Sequence, residues 1–319
     1  MTDNPAVSGE RRTALVRSAA AASITLAVTL VALKAWATWR TGSAAMLGSF
    51  ADSFLDLFAS ITTLLGVWIA AFPADRDHRF GHGKAEALAA MVQVMLIAIS
   101  AFAIFLRSID QFMAGGRIRG ADEGIAVSLV AIVLTLALLA WQRHVMRATG
   151  SVAIRTDHLH YQSDLLLNLS VIMALVLQSY VGLAQADPVF GILIALWLGV
   201  NGFRASREAV DQLMDKEWPE EKRRRFVELA AKHPELSNLH DLRTRTSGNR
   251  DFVQFHVYVD ADMSVAEAHD IIERVEADLT SHFPDMDLLI HIDPEGMVDE
   301  PDNPLVEEDE FAKLEKPPE

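Results

Sequence analysis

No cysteine occurs among the 319 residues. Its absence removes disulfides, thiolate metal sites and cysteine nucleophiles together, so any metal must be held by histidine, aspartate and glutamate. Positive charge is also scarce: 28 Lys and Arg stand against 43 Asp and Glu, a formal net charge of −15. A phosphate backbone needs clustered Lys and Arg, which argues against nucleic acid as a partner. The sequence has no His-Glu-x-x-His, which a zinc-dependent hydrolase would use. No cleavable leader is expected either, because the first apolar run, residues 14–37, is too long for a signal core and has no clear cleavage site.

What the chain has in abundance is apolar surface, 51% of its residues. These collect before about residue 205 in six runs of transmembrane length: 14–37, 44–72, 85–113, 125–141, 165–183 and 188–203. The helix of the fifth run is expected to begin earlier, near Thr156 or Asp157, which places His160 and Asp164 inside it. Lys34, near the end of the first run, is expected to snorkel. The basic residues divide by side. Arg11, Arg12, Arg17, Arg76, Arg79, Lys84, Arg143, Arg147, Arg155, Arg204, Arg207 and Lys216 fall on one side of a six-span arrangement, whereas Arg40, Arg107, Arg117 and Arg119 fall on the other. That bias puts both termini in the cytoplasm.

The last third is different in kind. A charged helix over 219–232 is followed by strands over 239–246 and 252–260, joined by the turn Ser247-Gly248-Asn249. The second strand alternates, with Phe252, Gln254, His256 and Tyr258 on one face and Val253, Phe255, Val257 and Val259 on the other. A helix over 264–282 and a strand over 287–292 complete an α-β-β-α-β order. The predicted fold is therefore a membrane all-α domain of six helices followed by a small cytoplasmic α+β domain of ferredoxin-like type. The expected boundaries are a polar segment at 1–13, the six-span domain at 14–212, the cytoplasmic domain at 213–298, and an acidic, Pro-rich tail at 299–319 expected to be disordered.

Two acids in the second run need a reason. An Asp at the centre of a membrane helix costs roughly 2.5–3.5 kcal/mol on insertion scales. Asp52 and Asp56, four residues apart, lie on one helix face and would repel unless a proton or cation sits between them. His160 and Asp164 repeat the spacing. Together they offer one imidazole and three carboxylates, a four-coordinate set that suits zinc better than magnesium or calcium. The bland alternative is that each acid is satisfied by a helix neighbour. Their depths also conflict: Asp52 and Asp56 lie about 12–18 Å below the outer end of their helix, and Asp164 about 20–30 Å below the outer end of its own. Tilt or an early end near Gln178 would reconcile them.

Asp75, His78 and His82 place three ligands within eight residues of the following polar loop, with Asp77 as a spare. Such a loop can equally face only solvent or lipid headgroups. In the soluble third, His291 and Asp293 share one strand face, while His240, His256 and His269 come from separate elements whose convergence local spacing does not establish.

The paired Asp52/Asp56 and His160/Asp164, the stretch Phe80-Gly81-His82-Gly83-Lys84-Ala85-Glu86, and His240-Asp241-Leu242-Arg243-Thr244-Arg245 resemble the cation diffusion facilitator family, in particular its bacterial ferrous-iron and zinc efflux branch. The resemblance extends to about Val298. It implies a homodimer with a transport site at Asp52, Asp56, His160 and Asp164, and a loop site at Asp75, His78 and His82. It also implies a two-metal cytoplasmic site drawing on His240, His256, His269, His291 and Asp293, and a Lys84–Asp215 pair between domains. The departures are Arg76-Asp77 before His78 and the long acidic tail.

The expected activity is export of a divalent cation, zinc foremost and iron(II), cadmium or manganese besides, in exchange for protons across a bacterial inner membrane. An intramembrane metallohydrolase would need an open coordination position and a general base. A pure metal sensor would need only the cytoplasmic domain and would leave four intramembrane ionisable groups unexplained.

Overall fold

Apolar runs without an internal proline continue as helix until a breaker stops them, so α1, α4 and α6 outlast the hydropathy that announces them. The computed structural model describes residues 9–41, 44–113, 125–181, 183, 185–283, 285–296, 302–303, 306 and 308–314. Among these, the long helices are α1 (Gly9–Thr41), α2 (Ala44–Ala70), α3 (Ala85–Met113), α4 (Ile125–Thr149), α5 (Val152–Val181) and α6 (Ala186–Leu213). Helix α4 continues beyond Trp141 and ends where Gly150 turns left-handed (φ +64) and donates its N–H to the Met146 carbonyl at 2.9 Å. Helix α5 starts at Val152, a turn before the expected position. Over their described residues, α1, α2, α3, α4 and α6 are long and apolar enough to cross a membrane.

Small residues let these helices approach closely. A Cβ on Gly66 of α2 would meet the Ala89 Cβ of α3 at 2.2 Å, and one on Gly191 of α6 would meet Ser108 Oγ of α3 at 2.1 Å. At one end, buried Glu86 accepts from Ser151 Oγ and pairs with Arg12 at 3.5 Å, while Arg12 Nε donates to the Thr149 carbonyl at 3.0 Å. This contact ties α1 and α3 to the α4–α5 turn.

The chain divides into two compact units, one spanning 11–213 and one beginning at Met214. The second contains α7 (Glu220–Ala230), β1 (Ser237–Ser247), β2 (Arg250–Val259), α8 (Val265–His282) and β3 (Met286–Pro294). Its sheet has the order β1-β2-β3, with β1 and β2 antiparallel and β2 and β3 parallel. Val253, Phe255 and Val257 are fully buried against Phe226 of α7 and Val275 and Leu279 of α8, so both helices cover one face of the sheet. Phe252 departs from the alternation: it is buried on the other face beneath the Arg245 guanidinium, 4.5 Å from its ring centre. Helix α8 opens on a capping box in which Ser264 and Glu267 bond each other's backbone N–H.

Within the tail expected to be disordered, the described residues 310–314 depart from that expectation, and the rest of 299–319 lies largely outside the described residues. Residues 310–314 form a short helix, α9 (Glu310–Leu314). Phe311 and Leu314 pack on the domain core, Val306 is buried, and Glu310 pairs with Arg223. Composition marks the segment as soluble and flexible, but three apolar anchors and one buried ion pair hold it.

Phe226 lies at the centre of this core, with Trp218, Phe255 and Phe283 rings 5.7–6.1 Å away. Phe226→Ala should cost roughly 3–5 kcal/mol in denaturant unfolding of the C-terminal domain. Phe311→Ala should cost less but measurably; an unchanged midpoint would mean that α9 contributes nothing to the domain.

Candidate metal centres

An isolated ionisable side chain in the apolar interior is costly, and contact with a complementary group offsets that cost. In the helical unit, His160 Nε2 of α5 lies 3.1 Å from Asp56 Oδ1 of α2 and 3.7 Å from Asp164 Oδ2 of α5. One ligand atom from each of these three residues falls within 4.8 Å of the others. The histidine side chain is 9% exposed, so water screens the cluster poorly. Asp52 lies on α2 one turn before Asp56, and its side chain is outside the described residues. The conflict of depths resolves in length. Asp56 is twelve residues from the start of α2 and Asp164 seventeen from the end of α5, so α5 extends roughly 8 Å further at that end.

The loop after α2 holds a second group. Asp75 Oδ1 accepts the backbone N–H of His78 at 2.6 Å and of Asp77 at 2.9 Å. These bonds, the one from His78 first, hold the Asp75 carboxyl below its ordinary range. His78 Nδ1 and His82 Nε2 each come within 3.4 Å of that carboxylate. His82 Nδ1 donates to the Pro73 carbonyl at 3.3 Å, which leaves the Nε2 lone pair facing Asp75. Gly81, at φ +80, supplies the turn that folds His82 back.

The third group lies on the sheet face opposite the helices. His240 of β1 is in register with His256 of β2, and His256 with His291 of β3. Three imidazoles thus form a row across three strands. Asp293, two residues beyond His291, serves all of them: its Oδ2 lies 3.0 Å from His256 Nδ1 and 3.6 Å from His240 Nε2, and its Oδ1 lies 3.3 Å from His291 Nε2. A carboxylate with imidazoles at both oxygens has the geometry to bridge two cations. His240 owes its position to irregular pairing on either side of it, with Asn238 (φ 48) and Asp241 (φ 44) both left-handed. Its Nδ1 donates to the Asn238 carbonyl at 2.8 Å, again leaving Nε2 for a ligand.

His269 stands exposed on α8, 3.3 Å from Glu273, and is not a member of the His240, His256 and Asp293 group. Lys84 donates to the Leu213 carbonyl at 3.2 Å, and Asp215 accepts from Arg245 at 3.2 Å. Spacing gave no reason to single out Asp241. Its carboxylate lies 3.8 Å from His256 Nε2 and 2.8 Å from Arg243, and the clue in the sequence is its place beside His240.

Residues 20–214 match the cation efflux transmembrane domain, and residues 218–295 match the cytoplasmic domain of cation efflux proteins. The cation-efflux pump FieF of Cronobacter sakazakii is 41% identical over 284 residues, covering 89% of this chain and 94% of that protein. The protein of the same name from Shewanella oneidensis is 42% identical over 279 residues, covering 88% and 94%. The solved metal-bound C-terminal domain of the CzcD transporter from Thermotoga maritima is 26% identical, covers 26% of this chain and 99% of its own, and has a TM-score of 0.24. With both family domains matched in order over most of its length, the chain belongs to the cation efflux family: it is a multi-pass membrane transporter of divalent metal cations, not an enzyme.

Proposed function

We propose that this transporter exports zinc, and with the same ligands iron(II), cadmium or manganese, by alternating access in exchange for protons. The observation that carries the reading is the contact of Asp56 with His160, 3.1 Å apart on two different helices of the membrane domain, with Asp164 alongside. Asp52, on the same α2 face by its i−4 spacing, completes a four-ligand site. A mixed imidazole and carboxylate shell suits zinc, and the same atoms bind protons, so metal and proton compete for one set of groups. Facing the cytoplasm the site loads metal; facing outward, protons displace it.

The orientation follows from the Lys and Arg bias, with both termini on the cytoplasmic side of a bacterial-type inner membrane. In this reading the loop group Asp75, His78 and His82 holds a second cation. The row of His240, His256 and His291 around Asp293 holds regulatory zinc in the cytoplasmic domain, with His269 contributing on occupation. The protein works as a homodimer. Metal on the cytoplasmic domains stabilises their association to the extent that it binds the associated form more tightly. Both FieF relatives are described as cation-efflux pumps, and the CzcD domain as metal-bound, in keeping with this account.

In liposomes holding the full-length protein and a zinc-sensitive dye, Asp56→Ala and Asp164→Ala should each reduce zinc flux to background. Wild-type flux in either variant would refute the transport site. With a pH dye inside the same vesicles, each burst of zinc movement should be matched by opposing proton movement; zinc flux at constant internal pH would refute antiport. Separately, His256→Ala should lower the number of zinc ions bound per chain in titration calorimetry and weaken the dimer in zinc. An unchanged stoichiometry would remove the cytoplasmic site from the account.

A further inference from the structure

One fully buried acid of the membrane domain is not part of the proposed ligand set. Asp157 stands on α5, one turn before His160, with no exposed surface. Three neutral donors from three other helices or their side chains converge on it. Ser23 Oγ of α1 and Gln142 Nε2 of α4 donate to its Oδ2 at 2.6 and 2.8 Å, and Gln93 Nε2 of α3 donates to its Oδ1 at 3.0 Å. The same Gln93 nitrogen reaches α2, donating to Thr63 Oγ1 at 2.7 Å and lying 3.2 Å from the Ala59 carbonyl. One amide therefore links Asp157 of α5 to the helix that carries Asp56.

A second link lies one turn further along. The Tyr161 hydroxyl donates to the Ser23 carbonyl at 3.1 Å, so its contact with Ser60 Oγ at 2.8 Å is one in which the serine donates. Ser60 is four residues beyond Asp56, and Tyr161 adjoins His160. Gln93 bears a cost for its orientation: its Oε1 is buried without a hydrogen-bond partner. Turning the amide over would satisfy that oxygen only by removing the nitrogen from Asp157 and α2. The orientation is thus fixed by what the nitrogen joins.

We propose that Asp157 is a positioning residue for the transported cation: through Gln93 it sets the register of α2 against α5, and so the spacing of Asp56 from His160 and Asp164. Zinc binds in a small tetrahedral shell with ligands at about 2.0–2.2 Å. A register that holds three side chains from two helices at that spacing favours zinc over the larger cadmium ion, and loosening it relaxes the preference. The inference rests on the transport-site reading above.

The test measures zinc and cadmium flux in liposomes holding the full-length protein. In Asp157→Asn an amide N–H₂ replaces one acceptor oxygen, so residue 157 can no longer accept from Gln93 on one side and from Ser23 and Gln142 on the other, and the network that holds Gln93 against α2 must rearrange. The KM for zinc should rise about tenfold or more, as for other partners that orient metal ligands, and the preference should shift towards cadmium. Thr63→Val removes the α2 end of the bridge and leaves Asp157 intact; it should give a smaller shift of both quantities in the same direction. Either variant, monodisperse and with unchanged zinc binding at its C-terminal domain, that kept the wild-type KM and zinc-to-cadmium ratio would overturn the inference. A raised KM at an unchanged ratio would overturn it too, since general weakening of the bundle predicts that result. If Asp157→Asn does not fold, Thr63→Val decides. Asp56→Ala run alongside separates the two levels: wild-type flux in that variant defeats the transport site itself.

Discussion

The contact between Asp56 and His160 is the constraint on which the rest of the membrane domain depends. Two ionisable groups from different helices are held in apolar surroundings, and each is tolerable there because the other is 3.1 Å away. That distance requires α2 and α5 to pass each other closely at this level. Close approach elsewhere serves the same end: α3 fits against α2 at Gly66 and against α6 at Gly191, where any larger side chain would force the helices apart. The bundle is therefore tight at both of these crossings.

The three ligand groups share a chemical plan and differ in how it is built. In the loop and on the sheet, a backbone carbonyl takes the Nδ1 hydrogen of a histidine, His82 or His240, and leaves Nε2 directed at a carboxylate. In the membrane, His160 instead has carboxylates from two helices beside Nε2. The outer groups are thus shaped by local chain turns, Gly81 in one case and the left-handed pair Asn238 and Asp241 in the other. The membrane group is shaped by helix packing, so it changes if α2 and α5 move. Such a difference suits the proposed roles, one site that alternates its exposure and others that hold a cation.

Much of the fold is legible in the chain because hydropathy and period report it directly: the long apolar runs and the alternation of Val253, Phe255 and Val257. The approach of His160 to Asp164 is legible for a related reason, since the i, i+4 spacing puts them on one helix face. What local spacing does not carry is convergence between elements. The row of His240, His256 and His291 exists only through strand register, with irregular pairing around His240 that no local pattern announces. Asp157 escapes notice because its partners, Ser23, Gln93 and Gln142, come from three separate helices. The tail misleads for the opposite reason: its acidic composition hides Val306, Phe311 and Leu314, the few residues that anchor it.

The account stands on a cation occupying the space between α2 and α5. Anomalous diffraction at the zinc edge, from crystals of the full-length protein loaded with zinc, tests this most directly. The account predicts a peak within about 2.0–2.2 Å of Asp56, His160 and Asp164 ligand atoms. Peaks at the loop and the sheet face, with none between α2 and α5 at saturating zinc, would contradict it.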